Sequence, residues 1–277
     1  MCRWLGYFGN ATTPKELIYD PVHSLIEQSR RSTPDMAMAN GDGFGLGWYP
    51  RPGEPALFRN AAPAWGDENL RELTGAIESP IFLAHVRAAT NTPVQQTNCH
   101  PFRYGPWIFV HNGFLAGFEL LRRDLLLAVR PDLFDNIKGS TDSELMFHLA
   151  LTFGLADDPL GGLERMAGYI EALAQSKDIA EPVQMTIGLT DGERLYAARY
   201  ASGPVVNTLY ASVDIDSVRQ LYPEDHRLSH FSEEARVVVS EPLSDLPGIW
   251  HEVPPSSALI VQDGPDEQRP FRPQPPS

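Results

Sequence analysis

Short runs of aromatic and β-branched residues, bounded by Gly, Pro, Asn or Asp, recur along the chain. They predict strands over residues 2–8, 44–49, 80–87 and 107–111, then 183–189, 194–200, 236–240 and 258–262. Helical spacing of apolar positions replaces that pattern over residues 67–78, 116–129, 142–153 and 159–175. Strands therefore come in two blocks with helices between them, which fits an α+β layered architecture better than a parallel α/β sheet. Asp191-Gly192, between two of the late runs, predicts a hairpin and hence antiparallel pairing. Thr141-Asp142-Ser143-Glu144 has the form of a capping box, placing the start of the third helix there. With no internal repeat and no clear linker, one domain is expected over residues 2–263. The tail from Gly264 to Ser277, dense in proline and polar residues, reads as either detachable from the core or draped over it.

Composition narrows the function classes. A chain of 277 residues with 42% hydrophobic content can bury a substantial core. Twenty-two basic against 36 acidic residues leave a formal charge of −14, which argues against nucleic acid or an anionic membrane as a standing partner. No apolar run approaches the ~18 residues of a membrane span, and the start, MCRWLGYFGN, lacks the apolar stretch of a signal peptide, so a cytoplasmic location is expected. Cys2 and Cys99 are accordingly expected as reduced thiols.

Cys2 stands directly behind Met1, so removal of the methionine would give one residue both a thiol nucleophile and a free α-amine able to act as its base. In IFLAHVRAATN, residues 81–91, Arg87 would emerge at the end of a strand, where a guanidinium can grip a carboxylate through two parallel hydrogen bonds. Asn112-Gly113 follows another strand; it reads either as a turn or as an amide and a backbone N–H aimed at a developing oxyanion. Asp142 lies in the first turn of its helix, where the dipole favours an acidic residue whatever its role. His85, His100 and His111 lack the spacing of zinc ligands and read as structural histidines near the site, so no metal or other cofactor is expected. Cys99 and His100 are neighbours on an extended segment and face opposite ways, so Cys99 reads as a packed thiol. The glycines of Asn40-Gly41-Asp42-Gly43-Phe44-Gly45 are followed by no lysine and read as close backbone packing beside a site, not as a phosphate loop.

Cys2, the HVRAAT of residues 85–90, the HNG of residues 111–113 and the STDSE of residues 140–144 together resemble the ordered motif set of class II glutamine amidotransferase domains. These are N-terminal-nucleophile hydrolases, so the resemblance implies a four-layer αββα sandwich of two antiparallel sheets flanked by helices. GDGFG, the PAW of residues 63–65, TNCHPF at 97–102, GSTDSE at 139–144 and SEPL at 240–243 most resemble one branch. That branch holds the amidotransferase-like subunit of the fungal glutathione-degradation complex and the γ-glutamyl hydrolase of ergothioneine synthesis.

The resemblance implies that Cys2 is the nucleophile and that Asn112 and the Gly113 N–H form the oxyanion hole. It further implies that Arg87 and Thr90 hold a glutamyl α-carboxylate, and Asp142 its α-ammonium. The implied reaction is hydrolysis of the γ-glutamyl amide of glutamine or another γ-glutamyl compound through a thioester. Amidotransferases that feed a sugar-phosphate synthase usually carry a bulky aromatic after the arginine; Ala88 stands there instead, leaving room for a larger leaving group. No synthase stretch follows in this chain, so an ammonia acceptor would be a separate synthetase. A partner peptidase subunit is the other companion the branch implies. A glutaminase subunit serving a synthetase is the alternative to a free-standing amidohydrolase, and a non-catalytic γ-glutamyl-binding protein is disfavoured by intact Cys2, Asn112 and Asp142.

Overall fold

The computed structural model describes residues 2–30, 40–89, 92–225, 228–229 and 231–276. Its strands are β1 (Arg3–Thr12), β2 (Phe44–Arg51), β3 (Glu54–Asn60), β4 (Ser79–Val86), β5 (Phe102–Tyr104), β6 (Trp107–Leu115) and β7 (Val183–Thr190). They continue with β8 (Leu195–Ala201), β9 (Tyr210–Ser212), β10 (Arg236–Val239), β11 (Trp250–Glu252), β12 (Ser257–Val261) and β13 (Glu267–Pro270). The helices are α1 (Lys15–Ile18), α2 (Leu25–Arg30), α3 (Glu68–Ala76), α4 (Phe118–Ala128), α5 (Pro131–Phe134), α6 (Asp142–Thr152), α7 (Pro159–Gln175) and α8 (Ile215–Leu221).

One sheet has seven strands in the order β11-β9-β10-β1-β4-β2-β3; the other has six, β13-β12-β8-β7-β6-β5. Neighbours pair antiparallel throughout. Strand alternation sorts the side chains into layers. On β4, Ile81 and Leu83 face the other sheet, and Phe82, Ala84 and Val86 face α1, α2 and α3. Trp4, Ile108, Val110 and Leu259 complete the core between the sheets. On the far face of the six-stranded sheet, Phe109, Met185 and Ile187 pack under α4, α6 and α7. Helix α6 is buried from Ser143 to Leu151 because neighbouring helices cover the side that does not face the sheet, which is why it is apolar nearly all round. The result is the expected four-layer αββα sandwich.

Of the two readings of the proline-rich tail, the structure shows the draped one. The tail lies along the core: β13 adds an edge strand to β12, and Phe271 is buried in the helix-side core with its ring against Tyr200. The Arg272 N–H then donates to Glu164 Oε1 at 2.9 Å. The capping box is also only half formed. Thr141 Oγ1 accepts the Glu144 N–H at 3.1 Å, but the Glu144 carboxylate turns to the preceding loop and accepts from Lys138 N and Gly139 N.

Candidate active site

The register of two neighbouring strands brings the first candidates together. Arg3 on β1 pairs with Val86 on β4, so Cys2 and Arg87 leave the same end of the sheet side by side. The Cys2 thiol sits against the backbone of Ala88, accepting from its N–H at 3.4 Å and donating to its carbonyl at 3.5 Å. Burial pushes the thiol pKa up, an effect that the Ala88 N–H and the Arg87 charge oppose without cancelling. The resting group is therefore a protonated thiol, and any reaction through its thiolate requires a base.

Arg87 is buried, and its guanidinium is partly committed. Nη1 donates to the Asp42 carbonyl at 3.1 Å and Nη2 to Thr92 Oγ1 at 2.6 Å. Asp42 fixes this segment from the other side, its Oδ2 accepting the Ala89 N–H at 2.8 Å. The glycine-rich stretch packs as expected. A Cβ on Gly45 would stand 2.0 Å from the His100 carbonyl oxygen, so β2 reaches residues 99–101 only with glycine there. Cys99 is a packed thiol, its Sγ 3.3 Å from the Asn60 carbonyl.

Asn112-Gly113 is not a turn. Strand β6 runs on through both residues to Leu115, paired with β7 across Asn112↔Thr186 and Gly113↔Met185. A Cβ on Gly113 would fall 1.9 Å from the Gln184 carbonyl oxygen and 2.7 Å from His111 Nε2, so the position has no room for a side chain. The Asn112 carbonyl accepts from Asn207 Nδ2 at 3.1 Å and Thr186 Oγ1 at 3.5 Å, while Thr186 Oγ1 accepts from Trp4 Nε1 at 3.0 Å. This chain ties β6 to the strand that follows Cys2.

Asp142 approaches from α6. Its Oδ2 accepts the Leu115 N–H at 2.9 Å, and its Oδ1 accepts the Ser143 N–H at 2.7 Å and hydroxyl at 3.1 Å. Because that hydroxyl donates to Asp142, it accepts from His111 Nδ1 at 2.8 Å, which fixes the His111 tautomer. His85 and His100 stack beside it, ring centroids 4.1 Å apart. Burial lowers the pKa of all three imidazoles, that of His85 to about 3, so they are neutral near pH 7.

Cys2, Arg87, His100, Gly113 and Asp142 line one cleft of about 410 Å³, which also takes in Phe114 from β6 and Glu119 from α4. Asn112 is buried next to Gly113 but is not among the lining residues. Thr90 lies outside the described residues. Sequence reasoning missed Asp42 and Thr92, whose link to Arg87 comes from folding and carries no spacing signal. Ser143 belongs to the STDSE of residues 140–144, and His100 and His111, structural histidines near the site by sequence, both line the cleft with it. Among the described residues no cluster of three or more His, Cys, Asp or Glu is placed to hold a metal ion, and no helix is long and apolar enough to cross a membrane.

Known proteins resemble this chain in sequence and fold. The family described as glutamine amidotransferases class-II matches residues 1–274. A probable glutamine amidotransferase of Saccharomyces cerevisiae, DUG3, is 33% identical over 95% of this chain and 82% of its own. The γ-glutamyl-hercynylcysteine sulfoxide hydrolase of Mycolicibacterium smegmatis is 27% identical over 95% of this chain and 96% of its own. Among solved structures, a glutamine aminotransferase class-II domain protein from Silicibacter pomeroyi superposes with a TM-score of 0.73 at 32% identity, covering 98% of this chain and 99% of that one. The Bacillus subtilis glutamine phosphoribosylpyrophosphate amidotransferase shares the fold at 17% identity, with a TM-score of 0.64 over 98% of this chain and 49% of that one. By sequence along nearly its whole length, and by its two antiparallel sheets between helices, the chain belongs to the class II glutamine amidotransferases and has their N-terminal-nucleophile hydrolase fold.

Proposed function

We propose that this enzyme hydrolyses the γ-glutamyl amide bond of glutamine or of a larger γ-glutamyl compound, through a thioester on Cys2 exposed by removal of Met1. The observation that carries the reading is the single cleft that joins Cys2 to Arg87, Gly113 and Asp142. A glutamyl head carries one anion and one cation, and the cleft offers one guanidinium and one carboxylate to meet them. Arg87, with Thr90, holds the α-carboxylate, and Asp142 the α-ammonium.

The Cys2 proton passes to the free α-amine, and the sulfur adds to the γ-carbonyl carbon. The carbonyl oxygen becomes an oxyanion that meets the Asn112 amide and the Gly113 N–H. Collapse expels ammonia or an amine, which takes the proton. Water then attacks the thioester, releases glutamate and restores the thiol. An α-amine titrating near pH ~8 is suited to this exchange with a thiol that burial keeps protonated.

Ala88, whose backbone holds the thiol, presents only a methyl group to the cleft, which favours a leaving group larger than ammonia. The name of the Mycolicibacterium relative supports the same direction. The test compares hydrolysis of glutamine, glutathione and other γ-glutamyl compounds by the purified chain, with intact-mass measurement of the N-terminus. Turnover by protein that begins at Cys2, with hydroxylamine trapping a γ-glutamyl hydroxamate, is the expected result. Activity in protein that retains Met1 would overturn the self-activated mechanism.

A further inference from the structure

His100 plays no part in the scheme above, yet it is the most conspicuous polar side chain in the cleft. It is only 3% exposed, it lines the cleft, and neither ring nitrogen has a hydrogen-bond partner among the described residues. Buried polar groups left unpaired are costly, and since both nitrogens are closed off in this conformation, a group entering the cleft reaches one of them only after a small shift of the side chains around the ring. The ring is held in place by apolar contacts. One face stacks on His85 at 4.1 Å, and Phe102 tilts against it at 4.6 Å. His85 is anchored in turn, its Nε2 donating to the His111 carbonyl at 3.1 Å. The imidazole is thus oriented without spending either nitrogen.

Charge decides which ligand atom it meets. Burial, together with His85, His111, Arg87 and Arg59 around it, disfavours the imidazolium. A neutral ring beside Arg87 supplies one N–H donor without placing a second cation there. Arg87 already spends a hydrogen of Nη1 and one of Nη2 on Asp42 and Thr92. A carboxylate offers about four acceptor sites, more than such a guanidinium fills. An ammonium group, by contrast, would be repelled by the arginines around His100, and Asp142 is already available for it.

We propose that His100 is a substrate-recognition residue that donates a hydrogen bond to the α-carboxylate of the bound glutamyl group, beside Arg87. This rests on the γ-glutamyl reading of the site. The probes are L-glutamate, the product common to every γ-glutamyl substrate, and 4-aminobutanoate, the same molecule without its α-carboxylate. Calorimetric titration of the mature protein and of His100→Phe, which keeps a ring on His85 but removes both nitrogens, measures the two affinities.

The expected result is a loss of about 10- to 100-fold for glutamate, the worth of one hydrogen bond to a charged group, with 4-aminobutanoate unchanged. His100→Gln, which keeps an N–H donor, should recover part of the glutamate affinity, and thermal melting confirms that both variants fold. Equal weakening of both ligands, or unchanged glutamate binding in a folded His100→Phe, overturns the proposal. Failure of the unmodified protein to bind glutamate overturns the γ-glutamyl reading itself, and that is read before any substitution at His100.

Discussion

Replacing Asp142 with asparagine separates the structural work of this carboxylate from its proposed recognition of substrate. Both oxygens are occupied as acceptors: Oδ2 by the Leu115 N–H at 2.9 Å, and Oδ1 by the Ser143 N–H and hydroxyl at 2.7 and 3.1 Å. An amide of the same shape can satisfy only one side. With its oxygen toward Ser143, its NH₂ faces the Leu115 N–H, donor against donor, and that mismatch costs about 1–3 kcal/mol. At about 2–4 °C per kcal/mol for a chain of this size class, the melting temperature should fall by several degrees while the fold survives. Recognition should change independently. Loss of a charged hydrogen bond to the α-ammonium is worth about 1.5–3 kcal/mol, so kcat/KM for a γ-glutamyl amide should drop roughly 10- to 150-fold. An N-acetyl analogue has no ammonium to lose and should drop far less. The assay is the ratio of kcat/KM for the two substrates in wild type and in Asp142→Asn, with melting followed in parallel. A lower melting temperature with an unchanged ratio would confine Asp142 to a structural role and refute its part in reading the substrate.

Other expectations follow from the same geometry. Asn112→Ala should lower kcat by about 10²- to 10³-fold with little change in KM, measured by steady-state kinetics, since an oxyanion donor acts mainly in the transition state. Cys2→Ala should abolish turnover and Cys99→Ala retain most of it; the reverse pattern would show that the wrong thiol has been assigned. Stability should fall as pH drops below about 6.5, because the unfolded chain binds protons at His85, His100 and His111 that the native state, with depressed pKa values, refuses. Each such histidine contributes a slope approaching about 1.4 kcal/mol per pH unit between its native and unfolded pKa, so urea titrations of His85→Phe between pH 5 and 7 should give a shallower dependence. Phe271→Ala should cost about 3–5 kcal/mol in chemical denaturation, the range for emptying a buried aromatic site, if the tail is an integral part of the core.

The long strands and helices were legible because their apolar spacing is dictated by the layer each one faces: Phe82 and Leu83 point to opposite cores, and the sequence alternates accordingly. The edges were not. Strands β3 and β13 carry Pro55 and Pro270 and expose much of their surface, and β9 and β11 span three residues each, too few for a period to show. Asn112-Gly113 was ambiguous because asparagine-glycine chemistry is that of a turn, and only the pairing with β7 shows a strand that continues. Cys2, Arg87 and Asp142 could be singled out by residue type and position. The unpaired state of His100 could not, since it depends on what surrounds the ring after folding.

The position of β1 in the middle of its sheet sets a timetable for synthesis. Its residues 5–8 pair on one side with residues 236–239 of β10, so that flank stays open until almost the whole chain has been made. At ~5–20 residues per second, the roughly 225 residues between the end of β1 and the start of β10 take roughly 10–45 s to emerge. Throughout that interval the segment bearing Cys2 belongs to a strand with an unfilled edge. If Met1 is removed as proposed, a methionine aminopeptidase working on the nascent chain would meet an accessible end, whereas one arriving later would meet a thiol already packed against Ala88. Maturation would then be a race between trimming and folding, and a chain refolded from denaturant with Met1 still attached would have missed its opportunity.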